Sequence, residues 1–225
     1  MPYPFAHPAA VLPLPRIMGR FAAPSALAIG SIAPDLWYFA PLVHREDSHS
    51  IGGLFWFCLP AGLTAYLFFH LVLKQPLIAL LSPRLGSFSH PGVPPAPWYA
   101  VVVSLLAGSL THLAWDALTH LDGHRWLQHA STIAGTAILA WWSWRKLRGA
   151  PAAAQAPRLS HFWRTCVIAG LVGAASIAAL WSADTALSFD RAALRHLLRS
   201  AGIGALQGLG VALLIYCLAV QRKMP

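Results

Sequence analysis

Charge is what this chain has least of. Only 10% of its 225 residues are Asp, Glu, Lys or Arg, and just 7 are acidic. A soluble domain usually carries about 25% charged residues. With 57% hydrophobic residues and a mean hydropathy of +0.57, the scarcity excludes an ordinary soluble globule and indicates an integral membrane protein. Cysteine is scarce too. Cys58, Cys166 and Cys217 each stand alone in an apolar run, which excludes a disulfide framework or a cysteine-based zinc site. Met1 to Pro8 lacks a basic stretch followed by a hydrophobic core, so a cleavable signal peptide is not expected. The formal net charge is +9, yet no basic stripe or binding motif accompanies it. Nucleic-acid binding is therefore not expected. The cations sit at the ends of apolar runs, as topology signals and contacts to membrane lipid.

What the chain has in quantity is apolar runs. Five are long enough, at about 20 residues each, to cross a bilayer. They lie near 51–74, 98–120, 126–144, 162–181 and 203–220, with most of the ten tryptophans near their ends. Gly170, Gly173, Ala174 and Ala178 in the fourth run, with Gly204, Gly208 and Gly210 in the fifth, permit close helix packing. Between Phe21 and Val43 the pattern breaks at Ala33-Pro34-Asp35. A half-inserted helix of about ten residues is expected there, with Pro24 in its first turn and its end near Ala33. The fold class is thus all-α: a polytopic membrane bundle of about five transmembrane helices plus a short N-terminal helix, forming one domain over 1–225. Its chemistry is expected in 1–125, with additional helices in 126–225.

A five-span count places Lys74, Arg84, the basic group at Arg145, Lys146, Arg148, Arg158 and Arg164, and the terminal Arg222 and Lys223 on one side. The positive-inside rule makes that side cytoplasmic. The first fifty residues and the end of the second span then share the non-cytoplasmic face. Arg191, Arg195 and Arg199 dissent, and read as an amphipathic interfacial helix.

The polar residues gather at that shared face. His7, Asp35, His44, Asp47 and His49 precede the first span, and His112, Asp116, His120, Asp122 and His124 close the second. Together they hold six of the eleven histidines and four of the seven acidic residues. The first two spans are joined by a short loop, so the two stretches come together. Imidazole with carboxylate suits a divalent metal, Zn²⁺ first, with Mn or Fe as alternatives. On a helix, His112 and Asp116 lie one turn apart, about 6 Å along the axis, and can share an ion. His120 is about 12 Å from His112, so it reads as a ligand to a second ion or a proton-transfer group. A structural, hydrogen-bonded role for the His112/Asp116 pair, and a helix-ending role for Asp35, remain the plain alternatives. His70, alone in the first span, reads as a packed residue.

Four pieces occur in order: His7-Pro8, Gly30-Ser31-Ile32-Ala33-Pro34-Asp35-Leu36, His44-Arg45-Glu46-Asp47-Ser48-His49-Ser50, and Thr111-His112 with Asp116. They resemble a bacterial family of membrane proteins known as domain of unknown function 4184. They are more distantly similar to predicted inner-membrane metal-dependent hydrolases, and more loosely to zinc-dependent phospholipase C. The distant hydrolases commonly carry a second acidic residue soon after Pro-Asp, where this chain has Trp37. The resemblance covers roughly the first 125 residues. It implies a bacterial inner-membrane protein with His7, Asp35, His49, His112 and Asp116 as metal ligands. The corresponding activity is hydrolysis of a phosphoester or another membrane-proximal substrate, with His44 or His120 carrying protons and Arg45 holding a phosphate. A non-enzymatic metal-binding protein, or a small ion or proton transporter, is the alternative. Substrate and oligomeric state are not legible in the chain.

Overall fold

The computed structural model describes residues 4–39, 43–81, 96–120, 125–150, 159–184 and 191–221. No strand occurs among them, so the all-α expectation holds. The chain divides into two compact units: Met1–Phe69 with Ser89–Ala150, and His70–Phe88 with Pro151–Pro225.

The first unit opens with a 3-10 turn, Pro4–Ala9, and short helices α1 (Leu14–Met18) and α2 (Pro24–Gly30). A second 3-10 turn, Ala33–Phe39, follows, and then α3 (Arg45–Ser48). Helix α4, Ile51–Leu81, runs from this unit into the second after Phe69, and α5 covers Trp98–His120. Helix α6, Arg125–Gly149, ends the unit. The prolines explain the breaks. Pro24 starts α2, where its missing N–H would be unsatisfied in any case. Within α4, Pro60 and Pro76 would each press on the carbonyl four residues back. Those carbonyls belong to Trp56 and Val72, and each lies in a widened π-helical turn, Leu54–Cys58 or Phe69–Leu73. The helix absorbs both prolines by expanding the turn that precedes them.

The segment expected to be half-inserted packs along α5. Phe21 meets Tyr99 edge-on at 5.9 Å. The Ser104 hydroxyl accepts from Ala23 N–H (2.8 Å) and donates to the Phe21 carbonyl (3.3 Å), pairing two groups left over at the break before α2. Higher up, Ser109 Oγ donates to Gly30 O at 3.0 Å. The segment from Phe21 to Ser31 thus follows α5 from Tyr99 to His112, about 20 Å of helix. His7 stacks back on His112 with ring centroids 3.9 Å apart. The first thirty-odd residues therefore run down α5 and return, a re-entrant hairpin. Irregular backbone at such depth is tolerated only inside protein, and Ala23, Ala26, Leu27, Ser31 and Ala33 are all buried. Close approach depends on Gly108, where a Cβ would collide with Leu27 O and sit 2.7 Å from Ser31 N.

Four helices among the described residues are long and apolar enough to cross a membrane: Ile51–Leu81, Trp98–Thr119, His161–Ser182 and Ser200–Val220. The expected third span does form a helix, α6, but is not among the four. Its first half holds Arg125, Gln128, His129, Ser131 and Thr132, which lower its hydropathy.

In the second unit, α7 (His161–Asp184) packs along α8 (Arg191–Gln221). Gly208 faces Ala174 and Ala178, and Gly204 faces Ala178 and Ser182, the small-residue packing the sequence suggested. Gly170, Gly173 and Gly210 take no part in it. The basic stretch at Arg191 to Arg199 is the start of α8, continuous with the span rather than a separate helix. Tyr216 OH donates to the Pro76 carbonyl at 3.0 Å, and Arg164 to the Leu81 carbonyl at 2.8 Å.

Candidate metal centre

Four pieces of backbone deliver five side chains to one place. The Pro4–Ala9 turn brings His7, and the Ala33–Phe39 turn brings Asp35 directly after the fully buried Pro34. His49 sits at the corner between α3 and α4. That corner is tied by Ser50 Oγ, which accepts from Gly53 N–H and donates to Asp47 O. Helix α5 supplies His112 and Asp116 on one face. Imidazole nitrogen and carboxylate oxygen then face one another in five pairs. His7 Nε2 is 4.0 Å from Asp116 Oδ1, and His49 Nε2 is 3.5 Å from Asp35 Oδ1 and 3.7 Å from Asp116 Oδ2. His112 Nε2 is 3.8 Å from Asp35 Oδ1 and 4.0 Å from Asp116 Oδ2. Two overlapping triads, His7/Asp35/His112 and His49/His112/Asp116, each keep their ligand atoms within 4.8 Å of one another.

These separations are too long for good hydrogen bonds, which close at about 2.7–3.2 Å. They lie near the edges of a tetrahedron around an ion with bonds of about 2.0–2.1 Å, which are about 3.3–3.4 Å. His7 Nδ1 and Nε2, His49 Nε2 and His112 Nε2 are buried without a hydrogen-bond partner. Leaving such a group unsatisfied costs about 1–3 kcal/mol each. A cation among them would satisfy several of these nitrogens at once. The residues present fit a divalent ion.

Two of the rings are set for that role by their other nitrogen. His112 Nδ1 lies 2.8 Å from Ser31 O, and His49 Nδ1 lies 3.1 Å from Arg45 O. A carbonyl only accepts, so the proton belongs on Nδ1 in both rings and the Nε2 lone pair faces the carboxylates. Ser48 Oγ, 2.9 Å from His49 Nδ1, supports the same placement. Burial, and then the neighbouring His112, push His7 down to about pKa 4, so its imidazole is neutral at neutral pH. Burial raises Asp35, but the adjoining His49 and His112 rings outweigh it and hold the carboxyl below its usual range.

The guanidinium is Arg45. Its Nη2 donates to Asp116 Oδ2 at 2.8 Å, and its side chain is 30% exposed. It therefore stands at the rim, engaged with one of the candidate ligands. His44 is exposed, begins α3 and belongs to neither triad. His120 ends α5, but its side chain lies outside the described residues, as do Asp122 and His124 altogether. Trp37 stacks on Tyr38 and packs near Phe57 and Cys58.

Sequence reading missed the supports. Ser31 and the Arg45 carbonyl act through the histidines, and Gly108 and Gly135 let the carriers approach. Ser31 beside Gly30, and the small Gly108-Ser109 pair one turn before His112, were the available signals.

One family model covers nearly the whole chain. The domain of unknown function DUF4184 matches residues 1–218. The chain belongs to this family. The match runs well past the first 125 residues that carry the motifs, so α6 to α8 are part of the DUF4184 unit. No curated protein and no solved structure was found to match.

Proposed function

We propose that this protein is a metal-dependent hydrolase of the bacterial inner membrane, acting on a phosphoester or a similar membrane-proximal substrate. The observation that carries the reading is the set of buried, unpartnered imidazole nitrogens converging on two carboxylates, with tautomers fixed from behind. His7, Asp35, His49, His112 and Asp116 would hold the ion, Zn²⁺ first by donor type. Five protein donors exceed the three of an open tetrahedral site, so one or two would yield to water or substrate. When bound, the ion supplies a nucleophile at neutral pH and polarises the scissile bond.

The chain's own residues do the rest. Arg45, partly exposed at the rim, can exchange its single contact to Asp116 for a substrate phosphate, which can accept from two guanidinium N–H groups at once. Exposed His44, or His120 at the helix end, would carry the leaving proton. The cluster's position, at the end of α5 and the start of α4, supports a reaction at a membrane surface. A transporter would instead need polar groups continued along the spans, for which His70 is the candidate the sequence offers.

The test is hydrolysis of a chromogenic phosphodiester, and of phospholipids in mixed vesicles, by purified protein. Activity should appear with added Zn²⁺ or Mn²⁺, vanish with a chelator and be absent from Asp116→Ala. Metal binding without turnover of any phosphoester would leave a non-enzymatic metal protein and sink the hydrolase.

A further inference from the structure

The hairpin formed by the first thirty-odd residues has a tip, and α5 measures how deep that tip goes. Helix α5 is one of the crossing helices, with Tyr99 at its start and the His/Asp cluster near its other end. From Asp116 back to Tyr99 it covers about 25 Å, against about 30 Å for the hydrocarbon core of a bilayer. Phe21 meets Tyr99, and the buried Ala23, Ala26, Val101 and Leu105 pack together with Ala96, which precedes the helix altogether. The chain before Phe21 therefore lies at the end of α5 remote from the cluster.

The tip consists of α1 and the 3-10 turn Gly19–Phe21. Gly19 turns the chain with φ +52°, and a Cβ added there would meet nothing within 4 Å. Arg16, Ile17, Arg20 and Phe21 are exposed, Ile17 by 75%, and the Arg20 guanidinium sits 4.9 Å over the Phe21 ring. Trp98, edge-on to Tyr99 at 6.1 Å, is exposed beside them. No acidic residue precedes Asp35, and none lies between Asp47 and Asp116. Exposed guanidinium groups are costly in hydrocarbon and reach for the nearest polar layer, which at this end of α5 is the headgroup region.

We infer that residues 13–21 emerge at the membrane surface opposite the His/Asp cluster, where Arg16 and Arg20 hold anionic phospholipid headgroups. Trp98 and Tyr99 mark headgroup depth, and Arg20, stacked on the neighbouring Phe21, stands where lipid phosphates are densest. The occupant follows from charge. Two exposed guanidiniums, with no carboxylate on the hairpin before Asp35 or on α4, match an anionic lipid surface. The N-terminal segment is thereby threaded through the bilayer and back. His7, Asp35 and His49 stay on the cluster side, while the tip joins the side where α5 begins. This replaces the expectation that all of the first fifty residues keep to one face. The inference stands whether or not the cluster holds a metal.

The experiment has two arms on the full chain. Ile17→Cys at the tip and Glu46→Cys in α3, both at exposed positions, are labelled with a membrane-impermeant maleimide in right-side-out and inverted vesicles, with the unsubstituted chain as background. The two positions should label from opposite sides. Labelling of both from one side, or of Ile17→Cys from neither, would overturn the inference. In the second arm, a fluorophore is attached to Ile17→Cys in detergent, and the protein is reconstituted into phosphatidylcholine vesicles. These contain small fractions of phosphatidylglycerol or phosphatidylcholine with brominated, quenching acyl chains. Brominated phosphatidylglycerol should reach half-quenching at a mole fraction about fivefold to thirtyfold lower, given about fivefold per arginine at an anionic surface. Arg16→Gln combined with Arg20→Gln should remove most of that preference. Equal quenching by both lipids, or a preference kept by the double variant, would refute the docking surface.

Discussion

Replacing Arg45 with methionine separates two roles of Asp116, partner of a guanidinium and candidate ligand. The pair is close, 2.8 Å, and Asp116 is buried while Arg45 is 30% exposed on its side chain. Removing one partner of a fully buried pair costs about 3–5 kcal/mol. Screening through the exposed side of Arg45 reduces that to about 2 kcal/mol in the metal-free protein. The metal-loaded state responds in the opposite sense. A guanidinium roughly 5 Å from a divalent ion repels it by several kcal/mol at an effective dielectric near 20. After screening, about 1.4–2.8 kcal/mol remains, equivalent to about 10- to 100-fold tighter binding when the arginine is gone. The assay is calorimetric titration of chelator-treated protein with Zn²⁺ and Mn²⁺, paired with melting temperatures with and without metal. Arg45→Met should melt lower than wild type when metal-free, bind the ion more tightly, and regain more stability on loading. Affinity that is unchanged or weaker would refute the reasoning, because Arg45 would then not compete with the ion for Asp116.

Other outcomes follow from the same geometry. A Cβ at Gly135 would come within 3.0 Å of Ala6 Cβ and 2.9 Å of its carbonyl. Gly135→Leu should therefore lift the turn that carries His7 and weaken metal binding about as much as His7→Ala. The double variant should show little further loss, whereas additive losses would separate the two residues. Gly108→Ala should destabilise the protein by about 3 kcal/mol through overpacking against the α2 backbone, seen as a lower urea midpoint. An unchanged midpoint would contradict the tight α2–α5 contact. The pH dependence has a definite sign. His7 is about 4 when folded against 6.5 when unfolded, so its neutral form costs nothing above pH 6.5. Between pH 6.5 and about 4 the unfolded chain takes the proton first, and metal-free stability should fall by up to about 3 kcal/mol. His7→Asn should flatten that decline in thermal melts, and an equal decline in the variant would remove His7 as its source.

The helical character and the crossing helices were legible because apolar runs of bilayer length admit few alternatives. Asp35, His49, His112 and Asp116 were legible because buried polar groups in so apolar a chain are conspicuous, and helix periodicity put the last two on one face. His7 could be named but not placed, since nothing in the residues shows a chain descending beside α5 and returning. The proline breaks at Pro13, Pro24 and Pro34 signal interruption without direction. Helix α6 was legible as a helix from its length and tryptophans, while Gln128, His129, Ser131 and Thr132 dilute its apolar character. The Arg45–Asp116 contact joins residues 71 apart and depends on the α3–α4 corner, which spacing alone does not reveal.

The most direct measurement is the metal content of protein purified without added metal, for wild type, His112→Ala and Asp116→Ala. Each variant is checked by its helical circular dichroism. Wild-type protein should carry close to one divalent ion per chain, or two if both triads fill, and both folded variants should lose that metal. A metal-free wild type that also fails to take up Zn²⁺ or Mn²⁺ in titration would contradict it.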